Sequence, residues 1–239
     1  MATFMVHDEV TDIPVTTGGV ALPTGSAYMA AGTYIVNGVS YDCSRPGLYR
    51  WFNPSGSFIN RVVWSSANFD IYALMSAISW NHIHGTQTEG DYQTMSNAGR
   101  TRKWSARCGY IAGMVAWLVP QFGQGISTRV LNVKTLGALN GYDDGHLVVE
   151  TKHGNDWRMW DMTNGCYFRD ANGKHLSCSE FMAAIANNGT FPEMVKLDYD
   201  HKYTHDCAGS LDMGLYWEKT FSTQASTEAW YRRIFQAYV

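Results

Sequence analysis

The sequence predicts an α+β fold in which a helix with a cysteine near its start packs on an antiparallel sheet. Apolar residues recur at helical spacing between positions 105 and 119, and Pro120 ends the pattern. Three short runs with strand character follow, separated by turn residues: Ser127–Val133, Gly145–Thr151 and Asp156–Met162. Because strands joined by short turns pair in antiparallel fashion, we expect a helix followed by a three-stranded meander.

Composition limits the class of partner. The chain has 239 residues, enough to bury a substantial core. Charged residues make up 16% of the chain, against about 25% in average soluble domains, while aromatic residues reach 14%. The net charge is -3 and the longest basic run is the short Arg100–Lys103, typical of a solvated loop, so we expect no nucleic-acid partner. No stretch approaches the roughly 20 apolar residues that span a bilayer, so no membrane partner is expected.

The N-terminal segment and the cysteines indicate the compartment. Met1–Ile13 carries charged residues and no apolar region typical of a secretory signal, so we expect a soluble protein that is cytoplasmic or virion-associated. Cysteines occur at positions 43, 108, 166, 178 and 207, an odd number, so at least one thiol is free unless it pairs between chains. A reducing compartment is favoured, while two disulfides with a free Cys108 stay open as an alternative.

Composition also divides the chain into three parts. Residues 1–65 are rich in Gly, Thr, Ser and Pro with short strand-like patches, which predicts a β-rich accessory segment. Within it, Asn37-Gly38 is a two-residue turn signal and predicts a small hairpin. Residues 66–165 form the predicted core, and residues 166–239 form an extension of helices and loops packed on that core.

Two helices are predicted in the core. The first is capped by Asn68 and stopped by Gly85, and its apolar face continues into His82, a position more typical of a packed histidine than of a metal ligand. The second is capped by Ser105, which places Cys108 in its first turn.

Glycines within the second helix predict a close neighbour. Gly109 and Gly113 reduce helix propensity, so we expect another backbone to approach them, from the sheet that carries His146.

Two further helices are predicted in the extension. A short helix at 180–186 is capped by Ser179, and a terminal helix begins at Ser226. The terminal helix has one apolar face that we expect to dock on the core, formed by Trp230, Ile234, Phe235 and Tyr238.

Three polar residues at the ends of these elements have the chemistry of a thiol enzyme. A cysteine at a helix N-terminus has a lowered pKa, and the positive charge of Arg107 adds to this effect at Cys108. His146, at the start of a strand, is placed to accept the thiol proton and return it to a leaving group. Asp161, at the end of the next strand, is placed to accept from the other ring nitrogen, because adjacent antiparallel strands bring the two together. Considered singly, each of these residues is more often structural.

Four short motifs carry a family resemblance. The chain has Cys108 opening a helix, Gly-Ile-Ser-Thr-Arg at 125–129, Gly145-His146, and Trp157 followed by Asp161-Met-Thr. In this order they resemble the transglutaminase-like superfamily of papain-related cysteine enzymes, whose core is a helix with the catalytic Cys at its start and a three-stranded antiparallel sheet bearing His and Asp. The resemblance covers about a quarter of the chain. Met162 stands where the family usually has Pro, and Val148 where an aromatic residue often follows the His.

The resemblance implies a catalytic triad of Cys108, His146 and Asp161 that acts on an amide carbonyl of a protein, peptide or glycopeptide, without a cofactor. Hydrolysis, as in a thiol protease or amidase, is favoured over crosslinking because no acceptor-amine site or calcium loop is recognisable. The candidate oxyanion donors are the backbone N–H of Cys108 and the indole of Trp104. Arg129 is expected to anchor its strand or turn rather than to react.

Two other interpretations stay open. His175-x-x-Cys178 and His201-x-x-x-His205-x-Cys207 offer soft ligands for zinc, although the aspartates around them favour a turn. Alternatively, the fold serves without turnover as a binding or structural module for a peptide, a glycan or a virion, because low charge and many aromatic residues suit a surface that stacks on sugars or peptides.

Overall fold

The computed structural model describes residues 71–85, 89–98, 104–122, 124–137, 144–197 and 222–238, together with the backbone of nine short strands between residues 3 and 65. Helices and mainly antiparallel strands occur in separate runs along the described chain, so the fold class is α+β, as predicted. Several sequence predictions lie outside the described residues: the Asn68 cap, the basic run at 100–103, the side chain of Trp104, and His201, His205 and Cys207.

The N-terminal strands pair in antiparallel fashion. Their bounds are β1 Thr3–Met5, β2 Val15–Thr17, β3 Val20–Leu22, β4 Ser26–Met29, β5 Gly32–Val36, β6 Val39–Cys43, β7 Gly47–Trp51, β8 Phe58–Ile59 and β9 Val63–Ser65. They form sheets of order β3-β2-β5-β6, β4-β7-β8 and β1-β9. β5 and β6 pair with Val36 opposite Val39, which confirms the predicted hairpin.

Three helices and two short strands precede the main sheet. They are α1 Ile71–Asn81, β10 His82–His84, α2 Tyr92–Ala98, β11 Trp104–Ala106 and α3 Cys108–Leu118. α1 ends before His82, because that residue lies in β10, which pairs in parallel with β11. The predicted cap of α3 was wrong: Ser105 lies in β11, opposite Ile83, and the N-cap is Arg107 with no side-chain capping bond. Cys108 is therefore the first residue of the helix.

The main sheet contains the predicted meander and one additional strand. Its members are β12 Thr128–Lys134, β13 Gly145–His153, β14 Asp156–Trp160 and β17 Ala237–Tyr238, in the order β14-β13-β12-β17. Gly154 turns β13 into β14 with a φ of +63°, a conformation that favours glycine. The placement of Tyr238 on a helix face was wrong, because it pairs with Val133 in β17 and is 41% exposed.

The C-terminal part contains strands where the sequence predicted only helices and loops. Its elements are β15 Cys166–Arg169, α4 Cys178–Ile185, β16 Glu193–Lys196 and α5 Gln224–Ile234. Ser177, not Ser179, caps α4, because its side chain and that of Glu180 form a reciprocal capping box. α5 begins before Ser226 with a similar box from Thr223. No described helix is long and apolar enough to cross a membrane.

Apolar side chains cover both faces of the main sheet. β13 alternates as a strand must: Leu147 and Val149 join the cluster formed by α1 and α3, whereas Val148 joins the cluster formed by α4 and α5. Val148 and Val149 are both 0% exposed, and burying each such side chain contributes about 1.5–3 kcal/mol. The sheet is therefore fixed between two layers of helices.

The two glycines of α3 have different neighbours. A Cβ built on Gly109 would lie 3.7 Å from the Leu147 side chain, an ordinary contact. A Cβ built on Gly113 would lie 2.1 Å from the hydroxyl of Tyr92 on α2. The expectation of a close sheet backbone was wrong for both glycines, because a side chain of β13 lies beside Gly109 and the Tyr92 side chain occupies the space beside Gly113.

Candidate active site

Cys108 combines a helix start with access to solvent. It is the first residue of α3, after the extended N-cap residue Arg107. The first N–H groups of an α-helix lack intrahelical partners and carry a partial positive charge, which favours an anion at this position. Its thiol is free, and the residue is partly exposed.

The pairing of β13 with β14 brings His146 close to Asp161. Val149 lies opposite Trp160, so the same register carried one step further places Asp161 opposite Val148. Asp161 is then a diagonal neighbour of His146 on one face of the sheet, within reach of long side chains. His146 Nε2 donates to Asp161 Oδ1 at 2.9 Å, because an ionised carboxylate only accepts.

His146 also acts on the Cys108 thiol. The hydrogen bond and charge of His146 help to lower the pKa of the Cys108 thiol, with smaller contributions from the backbone N–H groups of Leu147 and Gly109. Since Nε2 is engaged by Asp161, Nδ1 is the nitrogen available to the sulfur. The structure therefore brings together the three residues that the sequence selected.

Four donors surround the carboxylate of Asp161, which is 0% exposed. Oδ1 accepts from His146 Nε2 and from the backbone N–H of Asn164 at 3.1 Å. Oδ2 accepts from Asn164 Nδ2 at 2.8 Å and from the hydroxyl of Tyr231 at 2.8 Å. Hydrogen bonds to the charged form favour ionisation, which explains how a carboxylate is tolerated here.

These contacts shift the pKa values of all three groups. Burial alone raises the pKa of the Cys108 thiol, but the hydrogen bond and charge of His146 bring it below its ordinary value. Burial alone lowers the pKa of His146, but the charge and hydrogen bond of Asp161 raise it to about 10. Burial raises the pKa of Asp161, and His146, Tyr231 and Asn164 together lower it below its ordinary value. The directions favour a thiolate and an imidazolium held by a carboxylate.

Aromatic side chains of the C-terminal segment fix the imidazole. Trp230 on α5 meets the ring of His146 edge to face at 5.3 Å, and Phe235 lies 6.5 Å away. Asp144, just before β13, pairs with Arg233 of α5 at 3.0 Å. α5 thus docks on the core as predicted, and it does so beside the candidate triad.

Arg107 does not act on the thiol as expected. Its guanidinium makes a two-pronged ion pair with Glu89, at 2.8 Å from Nε to Oε1 and 2.7 Å to Oε2. The same carboxylate accepts from the Arg107 backbone N–H at 2.9 Å. Because Glu89 balances the charge, the lowered pKa of Cys108 has its cause in His146 and backbone donors instead.

Arg129 makes the contacts of a structural anchor. Its Nε donates to Glu150 Oε2 at 2.7 Å, and its guanidinium lies 4.1 Å from the ring centre of Trp157. Glu150 is 0% exposed, and its other oxygen accepts from the backbone N–H of Cys178 at 2.6 Å. Arg129 therefore ties strands β12, β13 and β14 to the start of α4.

His175 and Cys178, the described residues among the candidate zinc ligands, are in environments that do not favour a metal. His175 Nε2 donates to the Met159 carbonyl at 2.6 Å, and its ring stacks on Tyr167 at 4.4 Å. Burial and the charge of Glu150 raise the pKa of Cys178 to about 12, which disfavours the thiolate that zinc requires. Within the described residues, no group of three or more His, Cys, Asp or Glu side chains is arranged to hold a metal ion.

The cysteines decide one open alternative. Cys108, Cys166 and Cys178 are free thiols. With three of the five cysteines free, the alternative of two disulfides beside a free Cys108 was wrong.

Two residues of the site were not found from the sequence. Asn164 lies in the turn between β14 and β15, and its proximity to Asp161 in the chain could have suggested a side-chain turn contact. Tyr231 lies 70 positions beyond Asp161, and no local pattern indicates that its hydroxyl reaches the carboxylate.

Comparison with protein-family models, with curated proteins and with solved structures finds no significant match to this chain.

Proposed function

We propose that this chain is a cysteine-dependent enzyme of transglutaminase-like architecture that hydrolyses an amide in a protein, peptide or glycopeptide. One arrangement carries the proposal: a free cysteine at the first residue of a helix has its pKa lowered by an imidazole whose Nε2 bonds a buried carboxylate. This is the arrangement that activates a thiol nucleophile.

The acylation step uses Cys108 and His146. The thiolate attacks the carbonyl carbon, a C–S bond forms, and the carbonyl π electrons move to oxygen. When the intermediate collapses, the C–N bond breaks and Nδ1 of His146 gives its proton to the leaving amine. A thioester of Cys108 and a neutral imidazole remain, with Asp161 fixing the ring.

The deacylation step restores both groups. Neutral His146 takes a proton from water as the water oxygen attacks the thioester carbon. The C–S bond then breaks, the carboxylic acid leaves, and the thiolate and imidazolium return. The backbone N–H of Cys108, at the start of α3, is placed to stabilise the oxyanion in both steps.

The first test is selective alkylation. The protein is treated with limiting iodoacetamide from about pH 5 to about pH 9, and the adducts are located by peptide mass spectrometry. We expect rapid labelling of Cys108 below pH 7, lost in this range when His146 is replaced by Gln. Cys166 and Cys178 are internal controls, because burial raises the pKa of each to about 12. Labelling of Cys108 that rises only near the pKa of a free thiol would refute the activated nucleophile.

The second test is turnover. A screen of peptide and glycopeptide amides should find hydrolysis that Cys108→Ala abolishes while the fold is kept, as judged by circular dichroism. Full activity of the Cys108→Ala variant would exclude the mechanism. A reactive thiol without turnover in any amide screened would favour the binding-module alternative.

A further inference from the structure

We infer that Tyr231 is a positioning residue of the candidate triad: its hydroxyl holds the Asp161 carboxylate, and through it the imidazolium of His146. This inference rests on the proposed function. It adds to the site a residue from the C-terminal helix, 70 positions beyond Asp161 in the chain.

The hydroxyl of Tyr231 is the centre of a buried network. It lies 2.8 Å from Asp161 Oδ2, 2.9 Å from Asn164 Nδ2 and 3.4 Å from the sulfur of Cys166. Tyr231, Asp161, Asn164 and Cys166 are all 0% exposed. In such an environment each polar atom requires a partner, so these contacts are not easily exchanged for water.

The direction of each hydrogen bond follows from the chemistry of the groups. Asp161 is ionised and accepts only, so the phenolic proton of Tyr231 points to Oδ2. The amide of Asn164 donates to the phenolic oxygen. Burial and the charge of Asp161 raise the pKa of Cys166 to about 12, so this thiol keeps its proton and also donates to the phenolic oxygen. The phenolic oxygen therefore accepts from Asn164 and Cys166 while its own proton goes to the carboxylate.

The ring of Tyr231 is held firmly enough to act as a fixed donor. Phe168 meets it edge to face at 4.9 Å, Phe235 lies at 5.2 Å and Phe181 at 5.7 Å. The hydroxyl is thus placed by the α4 and α5 cluster, whereas Asn164 belongs to the same turn as Asp161. Tyr231 is the link that fixes the carboxylate relative to the second core layer.

The consequence concerns the thiolate–imidazolium pair. If Asp161 loses this anchor, Oδ1 no longer stays aligned on His146 Nε2 and the imidazolium is less stabilised. The Cys108 thiolate then forms only at higher pH. A hydrogen bond to a charged group contributes about 1.5 kcal/mol, equivalent to roughly a tenfold change in this equilibrium.

The experiment measures iodoacetamide labelling of Cys108 against pH in the Tyr231→Phe variant. We expect the pH of half-maximal labelling to rise by about one unit, with roughly tenfold slower labelling on the acid side. Tyr238→Phe is the matched control, because Tyr238 lies on the same C-terminal segment, is 41% exposed and should leave the labelling profile unchanged. Repeating the substitution in an Asp161→Asn background should produce no further rise, since the effect passes through Asp161.

Each outcome separates this inference from the proposed function. If Cys108 of the unmodified protein already titrates as an ordinary thiol, the proposed function fails. If it titrates low and Tyr231→Phe changes only the free energy of unfolding, Tyr231 is structural and the inference fails. A fall in the labelling pH, or an equal rise in the Asp161→Asn background, would also overturn it.

A second variant tests the inference if Tyr231→Phe does not fold. Should Tyr231→Phe not give a near-ultraviolet circular dichroism spectrum of a packed protein, Asn164→Ala replaces it. That change removes the side-chain donor to Oδ2 and to the phenolic oxygen but keeps the backbone N–H bond to Oδ1. The same upward change in labelling pH is expected, and an unchanged profile would refute the network.

Discussion

Replacing Asp161 by Asn removes one buried negative charge while keeping the size of the side chain. The new amide fits best with its oxygen at the Oδ1 site, because the backbone N–H of Asn164 donates there and cannot turn. Its NH2 group then lies at the Oδ2 site, where the Tyr231 hydroxyl can rotate to accept a hydrogen bond from it. The His146 Nε2–H bond is kept, but its partner is now neutral.

The size of the effect follows from the pKa of His146. Burial lowers this pKa, and the charge and hydrogen bond of Asp161 raise it to about 10 from an ordinary 6.5. Without the anion only Cys108 still raises this pKa against the effect of burial, so it falls toward its ordinary value. At about 1.36 kcal/mol per pKa unit, the imidazolium loses on the order of 4 kcal/mol, which corresponds to a rate loss of roughly 10³ to 10⁴.

Alkylation gives a measure that needs no substrate. A thiol of ordinary pKa near 8.5 is only about 0.3% thiolate at pH 6, and the lower intrinsic nucleophilicity of an acidic thiol offsets part of this difference. We therefore expect Cys108 to react on the order of 100-fold more slowly at pH 6 in Asp161→Asn, with the difference vanishing as the pH approaches 10.

The control is Asp156→Asn. Asp156 is exposed at the opposite end of β14, so its replacement removes the same charge without touching the site. It should leave the labelling profile unchanged. Equal labelling of Asp161→Asn and unmodified protein across the pH range, in folded samples, would refute the role of the carboxylate.

Two further predictions concern stability. Gly109→Ala should stabilise α3 by up to about 1 kcal/mol. Gly113→Ala should be about 1–2 kcal/mol less stable than Gly109→Ala, because its Cβ displaces Tyr92. Thermal unfolding of the two variants tests this, and equal melting temperatures would contradict it. In a Cys108→Ala background, the charge and hydrogen bond of Asp161 still raise the pKa of His146 above its ordinary 6.5, so its stabilising contribution is fully present below pH 6.5 and is lost as the pH rises through the raised folded pKa. Urea unfolding should show the decline, and adding His146→Gln should flatten it; parallel pH profiles would count against the raised pKa.

Local sequence pattern was a good guide where a single element decides the structure. The period of apolar residues located α1 and α3, and alternation with turn residues located β12, β13 and β14 to within one or two residues. Helix caps were less predictable. Ser105 and Ser179 are good capping residues, but strand pairing placed the first in β11 and a capping box starts α4 at Ser177.

The candidate site was likewise predictable where neighbouring elements decide it, and not where distant segments of the chain meet. Cys108 at a helix start, and His146 beside Asp161, follow from the order of elements and from a hairpin whose turn sets the register. The sequence could not show that the charge of Arg107 is balanced, because its partner Glu89 lies in a loop and meets it only in the folded chain.

From residues alone it follows that a thiol opens a helix and that an imidazole and a carboxylate occupy adjacent strands, because short-range periodicity and turn chemistry fix the elements and their register. Only the tertiary structure decides what surrounds the carboxylate. Tyr231, Trp230 and β17 reach the site through packing between segments far apart in the chain. Such contacts depend on how whole layers of side chains fit together, which no local pattern encodes.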